Sequence, residues 1–180
     1  LEAPLRRGAV PLVLGGDHSI SIPSVSCVVD VRGRPGGSGG PGEPAAPIGL
    51  VWVDAHPDLE TPGPDSTNDL NAMAAAHLLG RGVPELCALR GFAPKVKPEH
   101  MVFVALRDVV PEERRTIHEL GITAYTMSDI ERLGIAAVCD EVFRRMHERT
   151  EGFVLSFDID AVDPAIAPGV DDPEPGGLTF

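Results

Sequence analysis

Three short apolar runs, each followed at once by acidic residues or histidine, constrain the fold of this chain more than any other feature of its sequence. The runs are residues 9–14 before Gly15-Gly16-Asp17-His18, residues 48–53 before Asp54-Ala55-His56-Pro57-Asp58, and residues 152–157 before Asp158-Ile159-Asp160. Apolar runs of this length predict buried strands. Because open parallel sheets place their ligand sites at the carboxyl ends of the strands, we expect these polar side chains to lie together.

Six side chains of these motifs are candidate metal ligands: His18, Asp54, His56, Asp58, Asp158 and Asp160. Alternate residues of an extended chain share a face, so the three around His56 can converge on one point. Clustered carboxylates are costly unless a positive charge lies between them. The set is too large for one ion and suits two divalent ions with shared carboxylates. Oxygen ligands with a few imidazoles favour Mn²⁺, and less clearly Zn²⁺, Fe²⁺ or Co²⁺.

Helical signals alternate with strand signals along the rest of the chain. We predict helices at residues 19–31, 70–79 and 111–120, a fourth from a capping box at Ser128 and Glu131 to about residue 148, and further strands at residues 101–106 and 122–125. This alternation predicts an α/β fold of three layers, a parallel sheet flanked by helices on both faces. Residues 33–47, rich in Gly, Pro and Ser, are predicted to form a flexible loop, and residues 59–71 a second loop.

Composition narrows the class of protein further. A chain of 180 residues fits a single domain. It begins at Leu1 and stops at what resembles the start of another element, so we expect a fragment. A formal charge of −12 argues against a nucleic-acid partner, and no apolar run reaches the roughly 20 residues of a membrane span. Three scattered cysteines indicate reduced thiols and a cytoplasmic protein.

The three motifs resemble the signature motifs of the ureohydrolases, a family that contains arginases, agmatinases and related guanidino hydrolases. The resemblance covers nearly the whole chain, and Glu60-Thr61-Pro62 and Leu106-Arg107-Asp108-Val109 are most similar to arginase. It implies an arginase-type fold with two Mn²⁺ per chain. It also implies the ligand assignment: His18 and Asp58 on one ion, His56 and Asp160 on the other, and Asp54 and Asp158 bridging both.

The same resemblance implies a reaction. A hydroxide between the metal ions would attack the guanidinium carbon of a small guanidino substrate, Asp58 would accept a hydrogen bond from that hydroxide, and the products would be urea and an amine. L-arginine, which gives ornithine and urea, is the default substrate. Members of the family tend to form trimers and hexamers, so a homo-oligomer is expected.

Several candidate substrate-binding positions depart from the arginase pattern: Glu60, Thr67, Asp69 and Asn71. Glu60 and Asp69 both replace an asparagine, and the second of these asparagines contacts the substrate carboxylate in the pattern. An anion at Asp69 would repel an α-carboxylate. Asn71 replaces the histidine proposed to shuttle a proton, and an amide cannot carry one at neutral pH. Val110 replaces an acid that contacts the α-amino group.

These departures leave two alternatives open. The protein could be agmatinase-like, or could hydrolyse another C–N bond such as that of a formimino group, in a substrate with a different tail. It could also be a family member that binds metal but has little catalytic activity.

Overall fold

The structure, a computed structural model, describes residues 1–33, 46–64 and 66–179. Its strands are β1 (Ile48–Val53), β2 (Met101–Leu106), β3 (Thr123–Thr126) and β4 (Gly152–Phe157). Its helices are α1 (Glu2–Arg6), α2 (Ser21–Arg32), α3 (Ala74–Leu78), α4 (Pro84–Cys87), α5 (Pro111–Leu120), α6 (Met127–Leu133) and α7 (Ile135–Arg149).

The described strands form one parallel sheet in the order β3-β2-β1-β4. The central strand β1 is buried along its whole length, as expected for a parallel strand covered on both faces. Its last residue, Val53, pairs with Val104 of β2 and Phe157 of β4. The carboxyl ends of β1 and β4 therefore meet at one edge, so that the motifs that follow them lie side by side.

Helices cover both faces of this sheet. Leu50 and Trp52 of β1 belong to an apolar cluster that includes residues of α2 and α3, while Val51 and Val53 belong to a second cluster that includes residues of α6 and α7. The side chains of β1 thus alternate between two cores, as the period of a strand requires. This confirms the predicted three-layer α/β fold with a parallel sheet.

The predicted strand at residues 9–14 is wrong. This segment pairs with no strand among the described residues, and Val10, Leu12 and Leu14 are 94%, 85% and 84% exposed. A cavity of about 790 Å³ is lined by this segment and by β4. An apolar run becomes a strand only when a neighbouring strand accepts and donates its backbone hydrogen bonds. Phe157 of β4, expected in the core, is 49% exposed, because alternate side chains of β4 lie on a face that the described residues leave largely uncovered.

The other predicted elements differ from the structure mainly at their ends. The first helix begins two residues later, after a short 3-10 turn at His18–Ile20, and the second is confined to α3. The capping box is formed by Thr126 and Asp129 rather than by Ser128 and Glu131. Gly134, at a φ of 86°, separates α6 from α7 in what was predicted to be one helix.

The two predicted loops are only partly described. Of residues 33–47, the segment 34–45 lies outside the described residues. Residues 59–71 contain no helix or strand in their described part, as predicted. Every helix in the described ranges is too short or too polar to cross a membrane.

Candidate metal centre

His18 lies at the centre of one half of the predicted site. Its Nδ1 is 2.8 Å from Asp54 Oδ2, 3.2 Å from Asp158 Oδ2 and 3.3 Å from Asp58 Oδ2. The ring is buried, and the three carboxylates come from the ends of β1 and β4. The side chains of His18, Asp54 and Asp158 offer ligand atoms within 4.8 Å of one another.

His56 lies at the centre of the other half. Its Nδ1 is 3.1 Å from Asp160 Oδ2 and 3.5 Å from Asp54 Oδ1. Asp54, His56 and Asp160 form a second group whose ligand atoms lie within 4.8 Å of one another. Asp54 belongs to both groups and presents one oxygen to each histidine. The structure thus brings all six predicted ligands into one cluster with two halves.

Backbone hydrogen bonds hold these carboxylates in place. Asp54 Oδ1 accepts a hydrogen bond from the His56 N–H at 2.7 Å, and Asp160 Oδ1 accepts one from the Ala55 N–H at 3.1 Å. Asp158 Oδ1 accepts one from the Asp160 N–H at 3.1 Å. Asp58 has a φ of 50°, in the left-handed region that aspartate tolerates better than most residues. The two strand ends therefore fix each other through their own ligand residues.

Two supporting side chains were missed in the sequence. Trp52 Nε1 donates a hydrogen bond to Asp54 Oδ2 at 3.0 Å, and the Trp52 ring stacks on His18 with centroids 3.9 Å apart. Ser156 Oγ lies 2.8 Å from His18 Nε2, so the hydroxyl and the ring nitrogen share a hydrogen bond that orients the imidazole. The signal was present, since Trp52 alternates with Asp54, and Ser156 with Asp158, on the same strand face.

The charges of the cluster are strongly coupled. Burial disfavours charge on His18, but the nearby carboxylates of Asp54 and Asp58 outweigh it and raise the pKa of His18 to about 10. Burial acts likewise on His56, whose pKa is raised to about 11 by Asp160 and Asp54. Burial raises the pKa of Asp58 to about 8, whereas the pKa of Asp54 is lowered despite burial because both histidines contact it. The carboxylates thus favour positive charge at their centre.

The cluster also contains polar atoms that need a partner. Among the described residues, the buried atoms His56 Nε2 and Asp58 Oδ2 have no hydrogen-bond partner. Buried polar atoms in native proteins nearly always have a hydrogen-bond partner. An Asp58 oxygen that faces His18 without one therefore indicates that the site binds a ligand. Four carboxylates and two imidazoles form a donor set for hard or borderline divalent ions. The residues present therefore fit a pair of such cations.

The predicted substrate residues border the same site. A pocket of about 420 Å³ is lined by the six candidate ligands together with Glu60, Thr67, Asp69 and Asn71. Glu113, in the first turn of α5, also lines it. Its carboxylate is buried and accepts hydrogen bonds from Leu59 N at 2.9 Å and from Val110 N at 3.3 Å. No local pattern indicates a contact across 54 positions.

Comparison with known proteins identifies the family. A model of the arginase family matches residues 1–180. The chain belongs to the arginase family. The arginase of Bacillus caldovelox is 40% identical over 180 residues, which are 100% of this chain and 56% of the relative. The arginase of Brevibacillus brevis is 36% identical over 176 residues, 98% of this chain and 55% of the relative.

Solved structures agree with this assignment. The structure of the Bacillus caldovelox arginase superposes with a TM-score of 0.88 at 39% identity, over 99% of this chain and 55% of that chain. The Bacillus cereus arginase superposes with a TM-score of 0.88 at 35% identity, over 99% and 57%. The arginase-type fold is therefore confirmed. The chain spans about half the length of the curated relatives it matches.

Proposed function

We propose that this member of the arginase family hydrolyses a small guanidino compound to urea and an amine. One observation supports the proposal above all: two groups of metal-ligating side chains share Asp54 at the floor of a single pocket. Relatives named arginase make L-arginine the first compound to test.

The proposed cofactor is a pair of Mn²⁺ ions per chain. His18 and Asp58 would hold one ion, His56 and Asp160 the other, and Asp54 and Asp158 both. When bound, two divalent cations make water acidic enough to supply hydroxide at neutral pH and stabilise negative charge that develops at the reacting carbon. Four ligand carboxylates balance the charge of two such ions, which is consistent with the buried position of the cluster.

Asp58 is the proposed catalytic residue. Asp58 lines the pocket, and its buried Oδ2 has no hydrogen-bond partner among the described residues. An oxygen in this state can accept a hydrogen bond from the attacking water and hold it in place. Asp58 is fixed for this role by its neighbour Leu59, whose N–H donates to Glu113. Glu60, Thr67, Asp69 and Asn71 would contact the rest of the substrate.

A metal analysis with parallel urea assays tests the proposal. The purified protein is loaded with Mn²⁺, freed of excess metal and analysed for bound manganese. Urea release is then measured with L-arginine, agmatine and 4-guanidinobutyrate, before and after chelation. We expect two Mn²⁺ per chain and urea release from at least one compound that disappears with chelator and returns with Mn²⁺. Tight binding of two ions without urea release from any of them would contradict the proposed activity.

Asn71 favours a second candidate function, a metal-binding family member with little catalysis. It lines the pocket at the position where the arginase pattern has a proton-carrying histidine, and its amide cannot deliver a proton to the leaving amine. The same assay separates the candidates, because this second one predicts bound metal without urea.

Three further expectations remain proposals. We propose a single domain over residues 1–180, a homo-oligomer of the trimeric or hexameric kind, and a cytoplasmic location. Light scattering coupled to size-exclusion chromatography tests the second, and a mass corresponding to a monomer at micromolar concentration would contradict it.

A further inference from the structure

The pocket is acidic to an extent that its metal ligands do not explain. Of the described residues that line it, eleven are acidic and none is lysine or arginine. Two divalent cations balance the four carboxylates of the ligand set. Seven carboxyl groups remain without a balancing charge: Asp17, Glu60, Asp69, Asp108, Glu113, Asp171 and Asp172.

One rim of the pocket is held in place by Glu60. Its Oε2 accepts hydrogen bonds from Ser66 Oγ at 2.6 Å, from Thr67 N at 3.0 Å and from Thr67 Oγ1 at 3.1 Å. Thr67 Oγ1 in turn accepts a hydrogen bond from Asp69 N at 3.2 Å. The backbone of Asp69 is thus tied to Glu60 through Thr67. These bonds hold the backbone of the loop from which Asp69 lines the pocket.

A second segment of the pocket lining, which carries Asp171 and Asp172, is anchored as well. Arg107 donates hydrogen bonds to the backbone oxygen of Glu174, at 3.1 Å from Nε and 2.7 Å from a terminal nitrogen. Asp163 Oδ2 accepts a hydrogen bond from Gly176 N at 2.8 Å. These bonds fix the chain just after the two acids. Asp172 Oδ2 lies only 3.6 Å from His56 Nε2, so this rim reaches the metal-ligating cluster.

From these observations we propose that the pocket selects guanidino compounds whose tail ends in an ammonium group, accepts neutral tails less well, and rejects tails with a carboxylate. The inference rests on the proposed function, because it takes the guanidino end to lie at the cluster. A cationic tail then lies between two rims of like charge that it neutralises. A carboxylate there meets anions on both sides and no lysine or arginine among the described lining residues.

Four compounds with the same reacting group test the selection. Urea release by the Mn²⁺-loaded protein is measured with agmatine, butylguanidine, L-arginine and 4-guanidinobutyrate at low ionic strength. We expect kcat/KM to fall in that order, with at least a tenfold difference between agmatine and 4-guanidinobutyrate. The preference for agmatine should decrease as salt is added, because salt screens exposed charges. If kcat/KM for L-arginine or 4-guanidinobutyrate equals or exceeds that for agmatine, the inference is overturned.

A measurement of ligand binding tests the inference even if the protein proves inactive. Calorimetric titration of the metal-loaded protein with agmatine and with 4-guanidinobutyrate requires no turnover. Binding of agmatine at least tenfold tighter, without urea release, supports the selectivity while contradicting the proposed activity. Equal affinities of the two compounds overturn the selectivity whatever the activity.

Variants that each remove one negative charge show which acids produce the selectivity for an ammonium tail. Asp69→Asn keeps the shape of the side chain and removes one rim charge, and Asp172→Asn does the same on the other rim. We expect each to lower the agmatine to L-arginine ratio of kcat/KM several-fold, mainly through KM, because the tail lies away from the reacting carbon. Asp140→Asn, on the exposed surface of α7, is the matched control and should leave the ratio unchanged. An unchanged ratio in both rim variants overturns the inference.

Discussion

Single side chains decide whether this molecule can hold two cations. His18 and His56 each face carboxylates that follow different strands, and Asp54 contacts both. An imidazole that binds a metal ion through one nitrogen is held by a hydrogen bond at the other. Ser156 does this for His18, while His56 Nε2 faces the more distant carboxylates of Asp108 and Asp172, at 3.7 Å and 3.6 Å. The two halves of the site thus differ in how firmly they are supported.

The ligand assignment predicts the result of removing one side chain. His56→Ala or Asp158→Ala should eliminate at least one Mn²⁺ per chain and nearly all urea release, because each variant removes one of the proposed ligands. Atomic absorption of the purified variants measures the metal. Asp140→Ala removes an exposed carboxylate from α7 and serves as the control. Retention of two ions in either site variant would count against the assignment.

Because Asn71 stands where the family pattern has a histidine, we predict that Asn71→His raises the rate of urea release. Asn71→His places a titratable group in the pocket, at the position of the family's proposed proton carrier. A positioned general acid contributes about 10²-fold or more, so we expect kcat to rise at least tenfold with a smaller change in KM. The pH profile of kcat should gain a limb near the histidine pKa of about 6.5. An unchanged kcat and pH profile would show that residue 71 does not reach the leaving amine.

At the scale of elements, one buried carboxylate joins α5 to the loop after β1. Glu113, in the first turn of α5, accepts hydrogen bonds from Leu59 N and from Val110 N. Without Glu113, the buried Leu59 N–H would lose its partner, at a cost of about 1–3 kcal/mol. The contact fixes the residue after Asp58 and so connects the helix layer with the site.

This contact predicts a pH dependence of stability. Burial raises the pKa of Glu113 from 4.5 to about 6, against the effect of the two backbone hydrogen bonds. The folded state therefore binds a proton more readily than the unfolded state. The stabilisation from that proton is complete below pH 4.5 and is lost as the pH rises through about 6. Relative to Glu113→Gln, which does not titrate, the free energy of unfolding should fall by about 1–2 kcal/mol over this range.

Urea denaturation of the metal-free proteins at pH 4.5 and pH 7 measures this difference. The comparison with Glu113→Gln cancels the titration of groups that the two proteins share. The difference in the free energy of unfolding between the wild type and Glu113→Gln should therefore change with pH. If it stays constant, or favours the wild type more strongly at pH 7, the raised pKa of Glu113 is contradicted.

At the scale of the whole molecule, the buried core of the sheet contrasts with the exposed apolar side chains on the outer side of β4. The core between sheet and helices is closed, and Leu50 and Trp52 are fully buried. On the outer side of β4, Leu155 is 55% exposed and Phe153 42% exposed, and the nearby Leu12 is 85% exposed. Together with the cavity that they line, these side chains form an exposed apolar surface of the kind that promotes association.

From this exposed apolar surface we predict that the 180-residue chain binds apolar dyes and associates with itself. Leu12→Ser and Leu155→Ser should lower the binding of a dye that fluoresces in apolar surroundings and reduce concentration-dependent association. Because Leu12 is mostly exposed, its replacement should change the free energy of unfolding by less than about 0.5 kcal/mol. Leu50→Ala, in the closed core, should cost about 2–5 kcal/mol and is the contrasting control. Equal costs for Leu12→Ser and Leu50→Ala would contradict the described exposure.

The sequence by itself determined the features that depend on local patterns. Residues 48–53, 101–106 and 152–157 are strands as predicted, because a short apolar run between turn residues has few other stable conformations when it can be buried. The six candidate ligands lie together as expected, since they follow strands that end at one edge of a parallel sheet. The motifs also indicated the family, which the comparisons confirm.

Only the tertiary structure decided what depends on distant partners. Residues 9–14 have the composition of a strand but no partner among the described residues, and hydrogen bonding to a neighbour is not encoded within a segment. The contacts of Ser156 with His18 and of Glu113 with Leu59 join residues 138 and 54 positions apart. The acids of the two rims likewise line one pocket although they lie about 100 positions apart in the chain, and the loops that carry them are held by hydrogen bonds of Glu60 and Arg107.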